Sequence, residues 1–185
     1  MSKFQQQKTS SGSKIQDIEK AKAGDRKAIY ALYQKYAGAM LNTAFRILNN
    51  RADAEDALHD CFIKAMSNLN QFNYQSTFGA WFKRIVVNHS IDALKKKRKV
   101  VFLEHEEVPE INDLSEVNIE IEYQLDLLYK ALHKLPDGYR TVLSLFLLEG
   151  YDHSEISEIL DIGVSTSISQ LSRAKKKLKS LTIKG

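Results

Sequence analysis

The chain has 185 residues, 43% of them hydrophobic, enough to bury one ordinary core or two small ones. A single cysteine, Cys61, excludes an internal disulfide framework and a cysteine-based zinc site. Net charge is only +4 but unevenly spread: +10 over residues 1–99, −8 over 100–122 and +2 over 123–185, and basic faces suit phosphate backbones. With two prolines, eight glycines and no alternating Val/Ile runs, long helices rather than strands are expected. Residues 1–14 are too polar for a secretory leader, and no apolar run is long enough to span a bilayer. The expectation is a cytoplasmic protein without membrane insertion.

Residues 1–13 read as a disordered tail. A short helix from about Ile15 to Ala23 should end at Gly24, and Asp25 is a good N-cap for the next. There Ile29, Leu32, Tyr33, Tyr36, Met40, Ala44, Phe45 and Leu48 make one apolar stripe, stopped by Asn49 and Asn50. Another helix should start near Asp53, with Asp56 placed as in a capping box. Its buried face is Leu58, Phe62, Ala65 and Leu69, with Cys61 on the same side. Asn70 to Thr77 form a polar, aromatic loop. From about Thr77 to Lys97 a helix carries Phe78, Trp81, Phe82, Ile85 and Leu94 on its apolar side and a basic, polar opposite side. Trp81 and Phe82 read as core.

Residues 98–122 contain Pro109 and no clean period, and their acidity favours an extended linker. Helices resume at about Tyr123. Pro136 can open one helix and Gly150 can close it. The densest signal follows: a brief helix Glu155–Leu160, a turn at Asp161-Ile162-Gly163, and a longer helix from about Ser165. That is the helix-turn-helix plan, in which the second helix enters the major groove of duplex DNA. Lys175, Lys176, Lys177 and Lys179 behind it can hold phosphates. A plain helical hairpin has the same pattern, so the motif alone leaves both readings open. The domains expected are thus 14–97 and 123–183, both helical, joined by the acidic linker: an all-α chain of two small domains.

Leu132-x-x-Leu135-Pro136-x-x-x-Arg140-x-Val142-x-x-Leu145, then Glu149-Gly150-Tyr151, Glu155-Ile156 and Ser169-Gln170-Leu171-x-Arg173-Ala174, resemble region 4 of sigma-70 family factors, in particular the extracytoplasmic-function (ECF) subfamily. The N-terminal half is similar to region 2. Gly24-Asp25, Ala28, Leu32-Tyr33 and Tyr36 resemble its start. Asp53-Ala54-Glu55-Asp56-Ala57 and Phe62-Ile63-Lys64-Ala65 resemble its core-polymerase-binding helix. Phe78-x-x-Trp81-Phe82-x-x-Ile85-x-x-Asn88-x-x-Ile91-Asp92-x-Leu94 resembles regions 2.3 and 2.4. The blocks run in order over about residues 20–182.

The resemblance implies a transcription initiation factor, not an enzyme, with no catalytic residue, cofactor or metal. Its partners would be bacterial core RNA polymerase, promoter DNA and an anti-sigma factor. Asp53, Glu55, Asp56, Asp60 and Lys64 would face polymerase, although Asp53 fits helix capping better. Phe72, Asn73, Tyr74 and Gln75 would capture unstacked bases of the −10 element. Lys83, Arg84, Asn88, Lys95 and Lys96 would hold that strand. Ser167, Ile168, Ser169, Ser172, Arg173 and Lys176 would meet the −35 duplex. The acidic linker would thread toward the polymerase active-site cleft and RNA exit channel, its charge mimicking nucleic acid; a simple solvated tether is the alternative. The chain departs from the family pattern at Ser165, where glycine is common, and at Ile168, where Lys or Arg is common. Ile168 either packs on a thymine methyl or faces the core.

Two rival functions remain open at this level. A free-standing helix-turn-helix regulator accounts for residues 123–185 but leaves the first 97 without a role. A helical adaptor that never meets DNA accounts for the fold alone. Enzymatic readings fare worse, because His59, His89, His105, His133 and His153 fall in separate elements and no phosphate-binding glycine loop occurs.

Overall fold

A computed structural model describes residues 15–100 and 127–182. The expected tail 1–13, the linker beyond Val100 and the helix start at Tyr123 lie outside the described residues. Every regular element among the described residues is helical. They fall into two compact units, one drawn from Met1–Ala44 and Ala52–His89, the other from Phe45–Arg51 and Ser90–Gly185.

In the first unit, α1 (15–22) stops at Gly24, whose φ of +85° only glycine adopts without cost. The Gly24 N–H reaches the Ala21 carbonyl and the Asp25 N–H that of Lys20, both at 3.0 Å, which closes the helix end. Asp25 at once caps α2 (Arg26–Leu48), its Oδ1 accepting from the N–H of Lys27 at 2.8 Å and of Ala28 at 3.3 Å. The third helix, α3 (Arg51–Ser67), buries Ala54, Ala57, Leu58, Cys61 and Ala65. It begins at Arg51, so Asp53 lies inside the first turn and not at the helix start where the expected capping box puts it. A 3-10 turn (Leu69–Gln71) and a loop lead to α4 (Phe78–Val100), which outlasts its expected end at Lys97.

Phe78, Phe82, Val86 and Val87 are the buried residues of α4 in this unit, whereas Trp81, expected in the core, is half-exposed. Sealing a side chain such as Phe82 stabilises by about 1.5–3 kcal/mol. Phe82 also meets Phe62 edge-on at 6.0 Å.

The second unit contains the end of α2 from Phe45, the part of α4 from Ser90, and α5 (127–133), α6 (Asp137–Leu143), α7 (His153–Leu160) and α8 (Val164–Thr182). Pro136 stands just before α6 at φ −52° and ψ 142°, outside the helix rather than in its first turn. A π-helical segment (Ser144–Leu148) prolongs α6, and Gly150 at φ +81° closes it. Arg140 is 1% exposed. Its guanidinium is satisfied by the carbonyls of Arg46 (3.0 Å), Leu135 (2.9 Å) and Ile47 (3.2 Å) and by Asp137 Oδ1 (2.5 Å), as a buried cation requires. Arg46 pairs with Glu149.

Two buried groups give measurable consequences. Burial pushes the Cys61 thiol up to about 12, so little thiolate exists at neutral pH. A disulfide reagent at about pH 8 should leave the folded protein unlabelled and react once denaturant is added; fast labelling of the folded chain would contradict this packing. His133 lies against the Phe45 ring at 4.4 Å, with Nδ1 at 2.5 Å from Asn49 Oδ1. Burial, then the charges of Arg140 and Arg46, lower it to about 4. The folded state therefore holds a neutral ring. Its contribution is full above pH 6.5 and is lost as pH falls through about 4. Urea unfolding should lose up to about 1.4 kcal/mol per pH unit across that window from this group, and His133→Gln should flatten the slope; equal slopes in both proteins would contradict it.

Candidate functional site

Three surfaces combine charge, polarity and exposure. The first is the outer side of α3. Asp56, His59, Asp60, Ile63 and Lys64 recur at three and four residues and are all exposed. Glu55 is exposed beside them, while Asp53 is half-buried in the first turn, where a carboxylate complements the helix dipole. Asp60 Oδ2 is 3.9 Å from His89 Nε2. Ile63, 52% exposed at the centre of this face, was not singled out from sequence as a contact. Its signal was available: it shares the helical phase of Asp56, His59 and Asp60.

The second surface is the loop from Phe72 to Thr77 with the start of α4. Phe72, expected to stack on a base, is 3% exposed. Its ring meets Tyr74 at 4.8 Å, Trp81 at 5.4 Å and Phe78 at 5.9 Å, so it anchors the loop from beneath. Asn73, Tyr74 and Gln75 are exposed, and Asn73 Oδ1 accepts the Gln75 N–H at 3.3 Å. Thr77 Oγ1 accepts the Ala80 N–H at 3.2 Å and so caps α4. Tyr74 has φ +62°, a left-handed conformation that costs a bulky residue of order 1 kcal/mol or more. Its hydroxyl donates to Glu19. Along α4, Arg84 and Asn88 are exposed one turn apart, Lys83 is half-buried, and Lys95 and Lys96 are exposed.

The third surface is the α7–α8 pair. Asp152 caps α7 in a full capping box: Asp152 Oδ1 accepts the N–H of Glu155 at 2.8 Å, and Glu155 Oε2 accepts the N–H of Asp152 at 2.9 Å. The turn that re-aims the chain is made by Asp161 at φ +56° and ψ +53°, not by Gly163. Ser167, expected on DNA, is 0% exposed, and its hydroxyl pairs with His153 Nδ1 at 2.9 Å. His153 in turn stacks on Phe146 at 4.6 Å. Ser167, Leu171 and Ala174 are thus the core line of α8.

That phase decides the question left open at Ile168. The side chain is 51% exposed and does not face the core. Ile168, Ser172 and Lys176 follow one another at four-residue spacing on an open face, with Val164, 44% exposed, one turn before them. Val164 was missed because the helix was expected to begin at Ser165. Arg173 is exposed alongside, and Ser169 is half-buried with its hydroxyl donating to the Thr166 carbonyl at 3.0 Å. Among the described residues, no group of three or more His, Cys, Asp or Glu could hold a metal, and no helix is long and apolar enough to cross a membrane.

Residues 32–100 match the family model "Sigma-70 region 2" and residues 125–178 match "Sigma-70, region 4". The chain is 30% identical over 175 residues to the ECF RNA polymerase sigma factor SigW of Bacillus subtilis, covering 88% of this chain and 92% of that protein. It is 28% identical over 170 residues to the ECF RNA polymerase sigma-E factor of Haemophilus influenzae, covering 86% and 89%. Among solved structures, the fold is similar to that of the sigma factor RpoE, crystallised with the anti-sigma factor NepR from Bartonella quintana. The TM-score is 0.61 at 23% identity, over 84% of this chain and 96% of that one. It is also similar to CnrH, solved with the cytosolic domain of CnrY, with a TM-score of 0.53 at 22% identity, over 91% and 96%. The two region models, and relatives matched along nearly their whole length, show the family: the chain belongs to the ECF subfamily of sigma-70 factors, which bind core RNA polymerase and direct it to promoters.

Proposed function

We propose that each surface carries one task of this initiation factor, with residues 14–97 serving polymerase and the −10 element, 98–122 the linker, and 123–183 the −35 element. The outer face of α3 takes the polymerase: Glu55, Asp56, Asp60 and Lys64 supply charge, and Ile63 supplies the apolar centre that a stable contact needs. Asp53 serves its own helix. Asn73, Tyr74 and Gln75 take an unstacked −10 base on their amide and aromatic groups. Lys83, Arg84, Asn88, Lys95 and Lys96 hold the strand. Phe72 and Ser167 act from beneath, as supports. Ile168, Ser172, Arg173 and Lys176, with Val164 and the edge of Ser169, meet the −35 duplex.

The carrying observation is the open face of α8, where an isoleucine stands among hydroxyls and cations. Such a face reads thymine methyls by contact and phosphates by charge. The acidic stretch 100–122, with net charge −8, suits a basic channel of polymerase. The protein works in the cytoplasm, where its polymerase is. An anti-sigma factor is a further proposed partner, supported by the NepR and CnrY complexes of its structural relatives.

Reconstitution with core polymerase tests the whole reading. Transcription from a −35/−10 promoter should require both the chain and core; tight sequence-specific DNA binding without core would instead favour a free-standing regulator. Within that assay, Ile168→Ala should lower transcription selectively on −35 sequences that place a thymine methyl in the groove, by roughly tenfold for a contact worth about 1.4 kcal/mol. Arg173→Ala should weaken all promoters alike and reduce the salt dependence of binding by about one phosphate contact. A uniform loss from Ile168→Ala would remove the methyl-reading role.

Phe72 and its neighbours should separate in the same way. Phe72→Ala should destabilise the fold by about 3–5 kcal/mol, as emptied aromatic sites do, seen as a lowered unfolding midpoint. Asn73→Ala and Gln75→Ala should keep that midpoint and lose −10 selectivity, measured by transcription from templates varied at one −10 base. Unchanged selectivity in both would overturn the assignment of the loop.

A further inference from the structure

We infer that α1 is a positioning element for the base-reading loop: Glu19 and Lys22 hold Tyr74 in its left-handed conformation and thereby set the directions of Asn73 and Gln75. The inference rests on the proposed role of that loop at the −10 element.

The two faces of α1 do different things. Ile18 and Ala21, each 5% exposed, belong to the core. Glu19 and Lys22, one turn apart, form an ion pair at 3.2 Å and reach the loop. Lys22 makes two contacts there. Its Nζ donates to the Phe72 carbonyl at 3.2 Å and lies 4.6 Å from the centre of the Tyr74 ring. Glu19 accepts from the Tyr74 hydroxyl. The ring is therefore held at its edge by a carboxylate, on one face by an ammonium, and against Phe72 at 4.8 Å.

Such a set of contacts is more than the core requires. Phe72 already ties the loop to α4 through Phe78 and Trp81. What Phe72 does not fix is the backbone at residue 74, where φ is +62° on a tyrosine rather than on a glycine. A bulky residue stays there only when its surroundings over-determine it. The hydrogen bonds from Tyr74 and Lys22 also keep Glu19 ionised below the usual carboxylate range, so the charged form of the pair is the one present at neutral pH. If Tyr74 relaxed to negative φ, Asn73 and Gln75 on either side of it would turn to new directions. A loop already in its binding form gives up less freedom when a base arrives.

The test uses holoenzyme assembled from core polymerase and the full chain, with fork-junction templates differing at one −10 base. If loss of the clamp leaves the competent loop populated about one time in ten, apparent affinity for the cognate base falls about tenfold. Lys22→Met and Glu19→Gln should each reduce the ratio of cognate to substituted template toward that extent, with core affinity and unfolding midpoint kept. Tyr74→Phe should lose less, and Lys22→Arg should restore part of the ratio. Lys20→Met, an exposed α1 change off this face, should leave the ratio intact. Asn73→Ala is run in parallel. If it alters selectivity while the α1 variants do not, the clamp is refuted and the loop assignment stands. If it too leaves selectivity unchanged, the loop assignment fails and takes the clamp with it. A loss in the α1 variants that is equal on all templates and tracks a lower midpoint assigns α1 a purely structural role and overturns the inference.

Discussion

The burial of Phe72 is the constraint on which the N-terminal surface depends. One ring, 3% exposed, sits where the 3-10 turn ends and contacts both Phe78 and Trp81 at the start of α4. It ties the loop's first residue to the helix that follows, so residues 73–77 bridge two points that one aromatic cluster already holds together. Thr77 then spends its hydroxyl on capping α4. Between these anchors Asn73, Tyr74, Gln75 and Ser76 are exposed; the Tyr74 hydroxyl is engaged by Glu19 and the Ser76 hydroxyl by the Thr77 carbonyl, which leaves the two amide side chains facing outward. A loop pinned at both ends can present polar groups outward without the entropy cost that a free loop of the same composition would meet on binding.

A comparable economy governs α8. Its phase is set by Ser167, Leu171 and Ala174 turning inward, and by the pairing of Ser167 with His153 across the turn. A serine at a buried position is tolerated because its hydroxyl has a partner. The left-handed Asp161 gives the change of direction between α7 and α8. Once these are in place the open face follows without further choice, since residues four apart must share it.

Much of this was legible in the sequence, because helices announce themselves by period and punctuation. Gly24 and Asp25 marked the end of one helix and the start of the next; both acted as their residue types require. Failures came where tertiary partners outvote local type. Phe72 lies in a polar stretch and so resembled a base-stacking ring; only the aromatic cluster it enters, built from residues on the following helix, puts it inside. Ser167 looked like a DNA contact because small hydroxyls usually face water, and its partner lies 14 residues earlier. The capping pair Asp152 and Glu155 stands in the sequence, yet the expected short helix opens only at Glu155, whereas the structure opens it at His153 behind the Asp152 cap. Starting α8 one residue late likewise hid Val164. The burial of Arg140 was only half written locally: Asp137 and the Leu135 carbonyl lie within five residues, but its other two acceptors are the carbonyls of Arg46 and Ile47, 94 and 93 residues away.

The exposed isoleucine at 168 then has a physical meaning that a basic residue would not. A lysine or arginine there would add phosphate attraction or a guanine contact and raise affinity for many sequences. An isoleucine adds nothing in that currency; it gains only where a methyl group meets it. The charge on α8 is placed instead toward its C-terminal end, at Arg173, Lys175, Lys176, Lys177 and Lys179, all exposed. In the −35 role proposed for it, the helix would separate attraction from discrimination along its own length. One methyl contact discriminates by only about tenfold, too little to select a promoter alone, so a face of this kind is most useful when a second contact on the same promoter supplies effective concentration. A factor held on a promoter by polymerase has such a second contact, whereas a monomeric regulator with this α8 would lack it.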